Sequence, residues 1–201
     1  MALEEYRKKR NFKTTPEPAG SGKPRKSGRR PIFVVQKHQA TRLHYDLRLE
    51  IGGVLASWAV PKGPSLNPAD KRLAIRTEDH PIEYADFEGN IPEGEYGAGT
   101  VMVWDKGTCE LESDEPADRQ LSKGELKFVL HGRKLKGGFV LIRRDLRSGG
   151  ARRRESWLLV KRDDEYADRS WNIDHYDWSV LTGRTLEEIA SGLQRTRLTS
   201  Y

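Results

Sequence analysis

From Arg42 to Ile51 the chain alternates without a break. Leu43, Tyr45, Leu47, Leu49 and Ile51 are apolar, and Arg42, His44, Asp46, Arg48 and Glu50 between them are polar. Successive side chains of a strand point to opposite faces, so this period of two predicts a strand buried on one face only. Shorter runs rich in branched and aromatic residues predict further strands at Ile32–Gln36, Val54–Val60, Arg72–Thr77, Thr100–Trp104, Glu125–Gly132, Phe139–Arg144 and Ser156–Arg162. Gly52-Gly53 supplies the tight turn between two of them. Many short strands with little helical period between them predict a mainly β fold, a barrel or a sandwich. One helix is expected near the end, where Thr185 and Glu188 have the spacing of a capping box.

The segment before Ile32 is of another kind. From Thr14 to Pro31 it is rich in Pro, Gly, Ser, Lys and Arg and has no apolar period, which predicts a flexible arm. Residues 1–31 hold ten lysines and arginines against three glutamates, a net +7, and the chain as a whole carries +6. A basic arm on a near-neutral body points to a polyanionic partner. The expected division is arm 1–31, β-domain 32–181 and C-terminal helix with linker 182–201. No run is long and apolar enough for a membrane span, and the charged opening lacks a signal-peptide core, so a soluble cytoplasmic protein is expected. The lone Cys109 excludes an internal disulfide and a thiolate zinc site.

The alternating strand also carries chemistry. His44, Asp46 and Arg48 fall on one face, ~6.5–7 Å apart in steps of two residues. His38 precedes them across the turn Gln39-Ala40-Thr41 and can fold back towards His44. Two imidazoles and a carboxylate suit Mn²⁺, Fe²⁺ or Zn²⁺ with positions left open, and Arg48 offers a planar fork for phosphate. Arg72, Arg76, Glu78 and His80 share parity and would share a face if their strand ran that far. His80 is then a third ligand, a phosphate donor or a proton donor. The five tryptophans read as core or rim residues rather than base-stacking platforms, with Trp58 or Trp104 the one able to stack on a nucleobase. Gly89 to Gly99 reads as a shaped surface loop, His131 and His175 as structural or exposed, and Arg152 to Arg154 as a second basic cluster. A metal beside a phosphate-binding arginine suits a metal-dependent phosphoesterase, and two other classes compete with that reading. In a non-haem iron oxygenase, His80 or His131 would complete a facial triad with His44 and Asp46. In a non-catalytic nucleic-acid binding module, the charge is explained and the metal-like cluster is not.

The runs QKHQATRLHYDLRLE, SWAVPKGPS and RTEDHPIEYADFEGNIPEGEYGAGTVMVWD, framed by LEEYRKKRNF…TPEP and SVLTGRTLEEIA, resemble the 3′-phosphoesterase domain of bacterial DNA ligase D, an enzyme of non-homologous end joining. The resemblance covers essentially the whole chain. It implies a small closed β-barrel and a Mn²⁺ site of His38, His44 and Asp46. It implies that Arg48 and His80 contact the scissile phosphate, that Tyr84 helps place it, and that Gln36, Lys62, Arg72 and Glu78 support the site. Arg10 and Glu17 match a functional part of the arm. The activity implied is removal of a 3′-terminal ribonucleoside from a primer strand and then of the 3′ phosphate, leaving a 3′ hydroxyl. Attack by the ribose 2′ hydroxyl and attack by water both remain open for the first step. The implied partners are DNA 3′ ends, ligase and polymerase domains of the same enzyme and the Ku end-binding protein, at the bacterial nucleoid. One position departs: the family pattern has Asp after the arm's Arg, and this chain has Asn11, which bears on the balance between the two reactions. The strand register adds an expectation about stability. Tyr45 should be core, whereas Asp46, on the site face, should matter little to the metal-free fold.

Overall fold

The structure, a computed structural model, describes residues 3–21, 28–144 and 155–193. Nine strands form one antiparallel sheet: β1 (Ile32–Gln39), β2 (Leu43–Ile51), β3 (Val54–Val60), β4 (Lys71–Arg76), β5 (Gly89–Ile91), β6 (Gly99–Leu111), β7 (Glu125–His131), β8 (Lys136–Arg143) and β9 (Ser156–Lys161). Their order is β1-β2-β3-β4-β9-β8-β7-β6, and pairing of β6 with β1 closes the barrel while β5 lies beside β6. The closed barrel, rather than a sandwich, leaves these eight strands without a free edge. The predicted runs all became strands, and Val54–Val60 did so with the expected ends. Gly52 and Gly53, with φ of 60° and 82°, make the two-residue turn that pairs Ile51 with Val54.

Closure depends on β6, which pairs β1 from Thr100 to Thr108 and β7 along its last four residues. Partner counting skips Trp104, since Val35 faces Asp105 and Gln36 faces Val103, which marks a β-bulge. At its start, Gly99 passes so close to β1 that a Cβ would stand 2.0 Å from the Gln39 carbonyl oxygen.

The barrel interior is filled by alternate residues of every barrel strand, among them Phe33, Tyr45, Leu47, Leu49, Trp58, Trp104, Phe128, Phe139, Trp157 and Leu159. Trp58 and Trp104 are wholly buried there, which removes both as nucleobase platforms. The predicted C-terminal helix (Leu186–Ala190) carries its capping box and adds Leu186 and Ile189 to the same core. Sequence reading missed two further helices, α1 (Glu4–Lys8) and α2 (Ala117–Lys123), and the 3₁₀ turns at Ile82–Asp86 and Ile173–Tyr176.

The arm also differs from expectation over its first part. Residues 3–21 pack on the outer wall of the barrel instead of trailing free. Tyr6 of α1 is wholly buried in a second apolar cluster with Val34 of β1, Leu55 of β3, Val101 and Val103 of β6, and Tyr84 and Phe87. Two aromatic rings in a highly charged segment, Tyr6 and the partly buried Phe12, supply the apolar anchor, and buried ion pairs described below supply the rest. Lys23, Arg25, Lys26 and the cluster Arg152 to Arg154 lie outside the described residues. Among those described, no helix is long and apolar enough to cross a membrane.

Candidate metal and phosphate site

The hairpin β1–β2 sets the site. His38 pairs directly with His44, and Gln36 with Asp46, so all four share the outer face of the barrel with Arg48. That face is not solvated. The arm and the Ile82–Asp86 turn cover it, and Gln36, His38, Asp46, Arg48 and His80 are all buried.

His38, His44 and Asp46 each offer one ligand atom, and the three atoms lie within 4.8 Å of one another. His38 Nε2 is 2.9 Å from the Gly97 carbonyl oxygen and His44 Nδ1 is 2.9 Å from that of Arg42. A carbonyl can only accept, so each ring donates its proton outward. The opposite nitrogens, His38 Nδ1 and His44 Nε2, turn their lone pairs towards the Asp46 carboxylate at 3.7 Å each. That is too long for a hydrogen bond, and it is the spacing of atoms sharing an ion bound at ~2.1 Å. Backbone bonds that fix the tautomer of both rings are the second shell a metal-binding imidazole needs. The residues fit a divalent transition metal.

Asp46 continues into a row of charged groups. Arg48 Nη2 donates to Asp46 Oδ2 at 3.1 Å, and Arg48 Nε donates to Gln36 Oε1 at 2.8 Å. Gln36 is itself held by donating to the Tyr84 and Phe87 carbonyls. Burial raises the pKa of Asp46, but Arg48 and then the two imidazoles outweigh it and hold the carboxyl well below its usual range. Arg48 also lies over the Tyr84 ring, 4.9 Å from its centroid.

His80 stands between two guanidiniums. It does not continue β4, which ends at Arg76. A separate two-bond bridge to Leu55 of β3 sets it beside Arg48. Its Nδ1 is 2.9 Å from Arg48 Nη1 and 2.9 Å from the Glu78 carbonyl, and its Nε2 is 3.3 Å from Arg10 Nη2. Burial, then Arg48 and Arg10, hold its pKa well below the ordinary 6.5, so the ring is neutral. A neutral imidazole has one lone pair, and guanidiniums only donate. The Glu78 carbonyl only accepts, so Nδ1 carries the proton, Nε2 accepts from Arg10, and the Arg48 Nη1 N–H facing His80 has no acceptor there. An anionic oxygen entering beside Arg48 meets that need.

The arm completes the row. Arg10 Nε donates to Glu17 Oε1 at 2.9 Å, and Arg10 Nη1 donates to Glu78 Oε1 at 3.3 Å. The Tyr84 hydroxyl donates to Glu17 Oε1 at 2.8 Å, and burial keeps that phenol protonated. Lys9 Nζ donates to Glu78 Oε2 at 3.1 Å. Asn11 is exposed, and its Oδ1 accepts from the Lys13 N–H at 3.2 Å.

The structure thus brings together His38, His44, Asp46, Arg48, Gln36, His80, Tyr84, Glu78, Arg10 and Glu17. It does not bring Lys62 and Arg72 into that network. Lys62 is exposed in the turn after β3, and Arg72 shares its side of β4 with the core residue Ala74 and donates to Asp70 Oδ2 at 2.7 Å. The shared face expected for Arg72, Arg76, Glu78 and His80 does not exist, because the strand ends before Glu78. Neither His80 nor His131 joins His44 and Asp46 as the third ligand that the oxygenase reading named. His38 is the third member of the cluster, His80 binds Arg48, and His131 is half exposed beside Glu110. Sequence reading missed Tyr6, for which one aromatic among charges was the available signal, and the Gly97 carbonyl, which had none.

Residues 36–143, more than half of the chain, match the family model described as the DNA Ligase D 3′-phosphoesterase domain. The multifunctional non-homologous end joining protein LigD of Pseudomonas aeruginosa is 51% identical over 191 residues, which cover 92% of this chain and 22% of that protein. Its counterpart in Mycolicibacterium smegmatis is 50% identical over 147 residues, 70% of this chain and 19% of the relative. The Mycobacterium tuberculosis protein is 50% identical over 143 residues, 70% and 18%. The chain spans about a fifth of the length of these curated relatives.

Proposed function

The chain belongs to the DNA ligase D 3′-phosphoesterase family, and from that membership we propose that it processes DNA 3′ ends, removing a terminal ribonucleoside and then the 3′ phosphate to leave a 3′ hydroxyl for joining. The observation that carries this reading is the buried run from the His38–His44–Asp46 cluster through Arg48 to His80, with ligand lone pairs at one end and an unmet guanidinium donor beside them. In this reading His38, His44 and Asp46 hold Mn²⁺, which supplies Lewis-acid polarisation of a phosphoryl oxygen. Arg48 donates to a second non-bridging oxygen and stabilises charge as it develops. His80, kept neutral, orients Arg48 and the phosphate rather than adding a third positive charge. Tyr84 and Gln36 fix the plane of the Arg48 fork. Arg10, clamped by Glu17 and Glu78, closes the wall over the phosphate, and the remaining arm cations grip flanking duplex. Lys62 and Arg72 act from outside this network.

The lengths of the relatives extend the proposal. The domain works beside ligase and polymerase domains, with Ku, at the nucleoid. The test is a recessed primer–template ending in a 3′ phosphate or one ribonucleotide, incubated with and without Mn²⁺. Metal-dependent release confined to the terminus is expected. No release with Mn²⁺, or scattered internal cleavage, would overturn the reading.

A further inference from the structure

Tyr96 is the one aromatic residue of the loop between β5 and β6, and it is 46% exposed. The loop is held from both sides. Its next residue, Gly97, with φ of 80°, accepts from His38 Nε2 through its carbonyl. Its previous residue, Glu95, accepts from the Thr14 hydroxyl of the arm at 2.5 Å. Lys9 Nζ lies over the Tyr96 ring, 4.8 Å from the centroid, and donates to its hydroxyl at 3.4 Å, and Arg10 Cζ is 5.5 Å from the same centroid. The ring is therefore one contact from each end of the site: from the ligand cluster through Gly97, and from His80 through Arg10.

Two features set this ring apart from a scattered surface aromatic. Two cations of the arm, Lys9 and Arg10, hold it from one side through cation–π contacts. It also sets a flat, uncharged surface beside the cations Lys9 and Arg10 and one residue from the Gly97 carbonyl that holds His38. A phosphate is served by those cations and has no use for a π face; the sugar and base attached to that phosphate have. We propose that Tyr96 is a substrate-positioning residue whose ring stacks on the terminal nucleobase of the processed strand. Stacking of this kind accepts any base, because each has a π face, and it suits an activity that meets ends of unspecified sequence. The inference rests on the 3′-end reading of the site.

The test has two arms, both with Mn²⁺-loaded protein. Steady-state KM is measured on primer–templates whose 3′-phosphate terminus carries a base or is abasic. The wild type should favour the base-bearing end by roughly ten-fold in KM, within the range seen for one base on an aromatic ring. Tyr96→Ala should bring that ratio close to one, and Tyr96→Phe should keep it. The second arm needs no turnover. A 3′-hydroxyl product end carrying terminal 2-aminopurine should be quenched on binding to wild type and Tyr96→Phe, but not to Tyr96→Ala. Equal ratios in wild type and Tyr96→Ala, or an unquenched base on bound wild type, would overturn the inference while leaving phosphate hydrolysis standing. Quenching without any hydrolysis would uphold the stacking and defeat the functional reading instead.

Discussion

The two outer faces of the barrel are built the wrong way round for a simple globular protein. On β1 and β2 the outward face carries Gln36, His38, Asp46 and Arg48 beside the aliphatic Val34, and these polar residues are buried beneath the arm, the Ile82–Asp86 turn and the Gly97 loop. On β4, β9 and β8 the outward residues are aliphatic, and Leu73, Leu158 and Ile142 stand side by side in register. There Leu73 and Ile142 are 38% and 39% exposed. Burial follows use rather than hydropathy. Covering a charged row takes it out of water, where Asp46, Arg48 and Arg10 act on one another and on an incoming anion with less screening. The desolvation this entails is offset by pairing every carboxylate in the row, Asp46 with Arg48, Glu17 and Glu78 with Arg10. Leaving a short aliphatic row in water costs little, since much of any protein surface is apolar.

The largest expected effect is on the buried polar face. Asp46→Ala should abolish metal binding and turnover, and it should also lower the stability of the metal-free protein by about 3–5 kcal/mol, because it strands Arg48 in a buried setting. This revises the expectation drawn from a strand with one wet face, on which the fold would have been indifferent to Asp46. Tyr45→Ala, one residue away and inside the barrel, should cost a similar ~3–5 kcal/mol while metal still binds. Denaturant titration of metal-free variants beside metal analysis separates the two. An Asp46→Ala apoprotein as stable as wild type would mean that the polar face is wet after all, and the contrast between the faces would fail.

A smaller effect concerns pH. The pKa of His80 is depressed in the folded protein, so near pH 6 the unfolded chain takes up a proton that the folded one refuses. Stability must then fall as pH drops through 6.5, the ordinary value for the unfolded side chain, and keep falling towards the depressed folded value. His80→Asn should flatten that decline in metal-free thermal melts, and turnover of the wild type should show no inflection from His80 near 6.5. A decline of the same slope in the variant would place the cause elsewhere. The smallest effect is on the aliphatic face. Leu73→Thr and Ile142→Thr should each change stability by no more than about 0.5 kcal/mol, the usual size for surface substitutions. A loss of several times that would show the row to be packed and would remove the second half of the comparison.

The strands, the parity of β2 and the clustering of His38, His44, Asp46 and Arg48 were all written locally. Alternation is a relation between neighbouring residues, and a three-residue turn leaves a hairpin little choice but to fold His38 back onto His44. The capping box of the C-terminal helix was legible for the same reason, being complete within four residues. What no local pattern carried was how distant segments meet. His80 reaches Arg48 through a bridge to Leu55 rather than by extending its own strand. Arg10 reaches His80 across seventy residues, and Tyr6, Glu17 and Tyr84 meet only because the arm docks. The same docking turned an apparently wet face into a buried one, and closure of the barrel put Trp58 and Trp104 inside while Tyr96 stays exposed. Nearest-neighbour stereochemistry decides which way a side chain points from its own strand. Only closure of the barrel and packing of a second layer decide what it then faces.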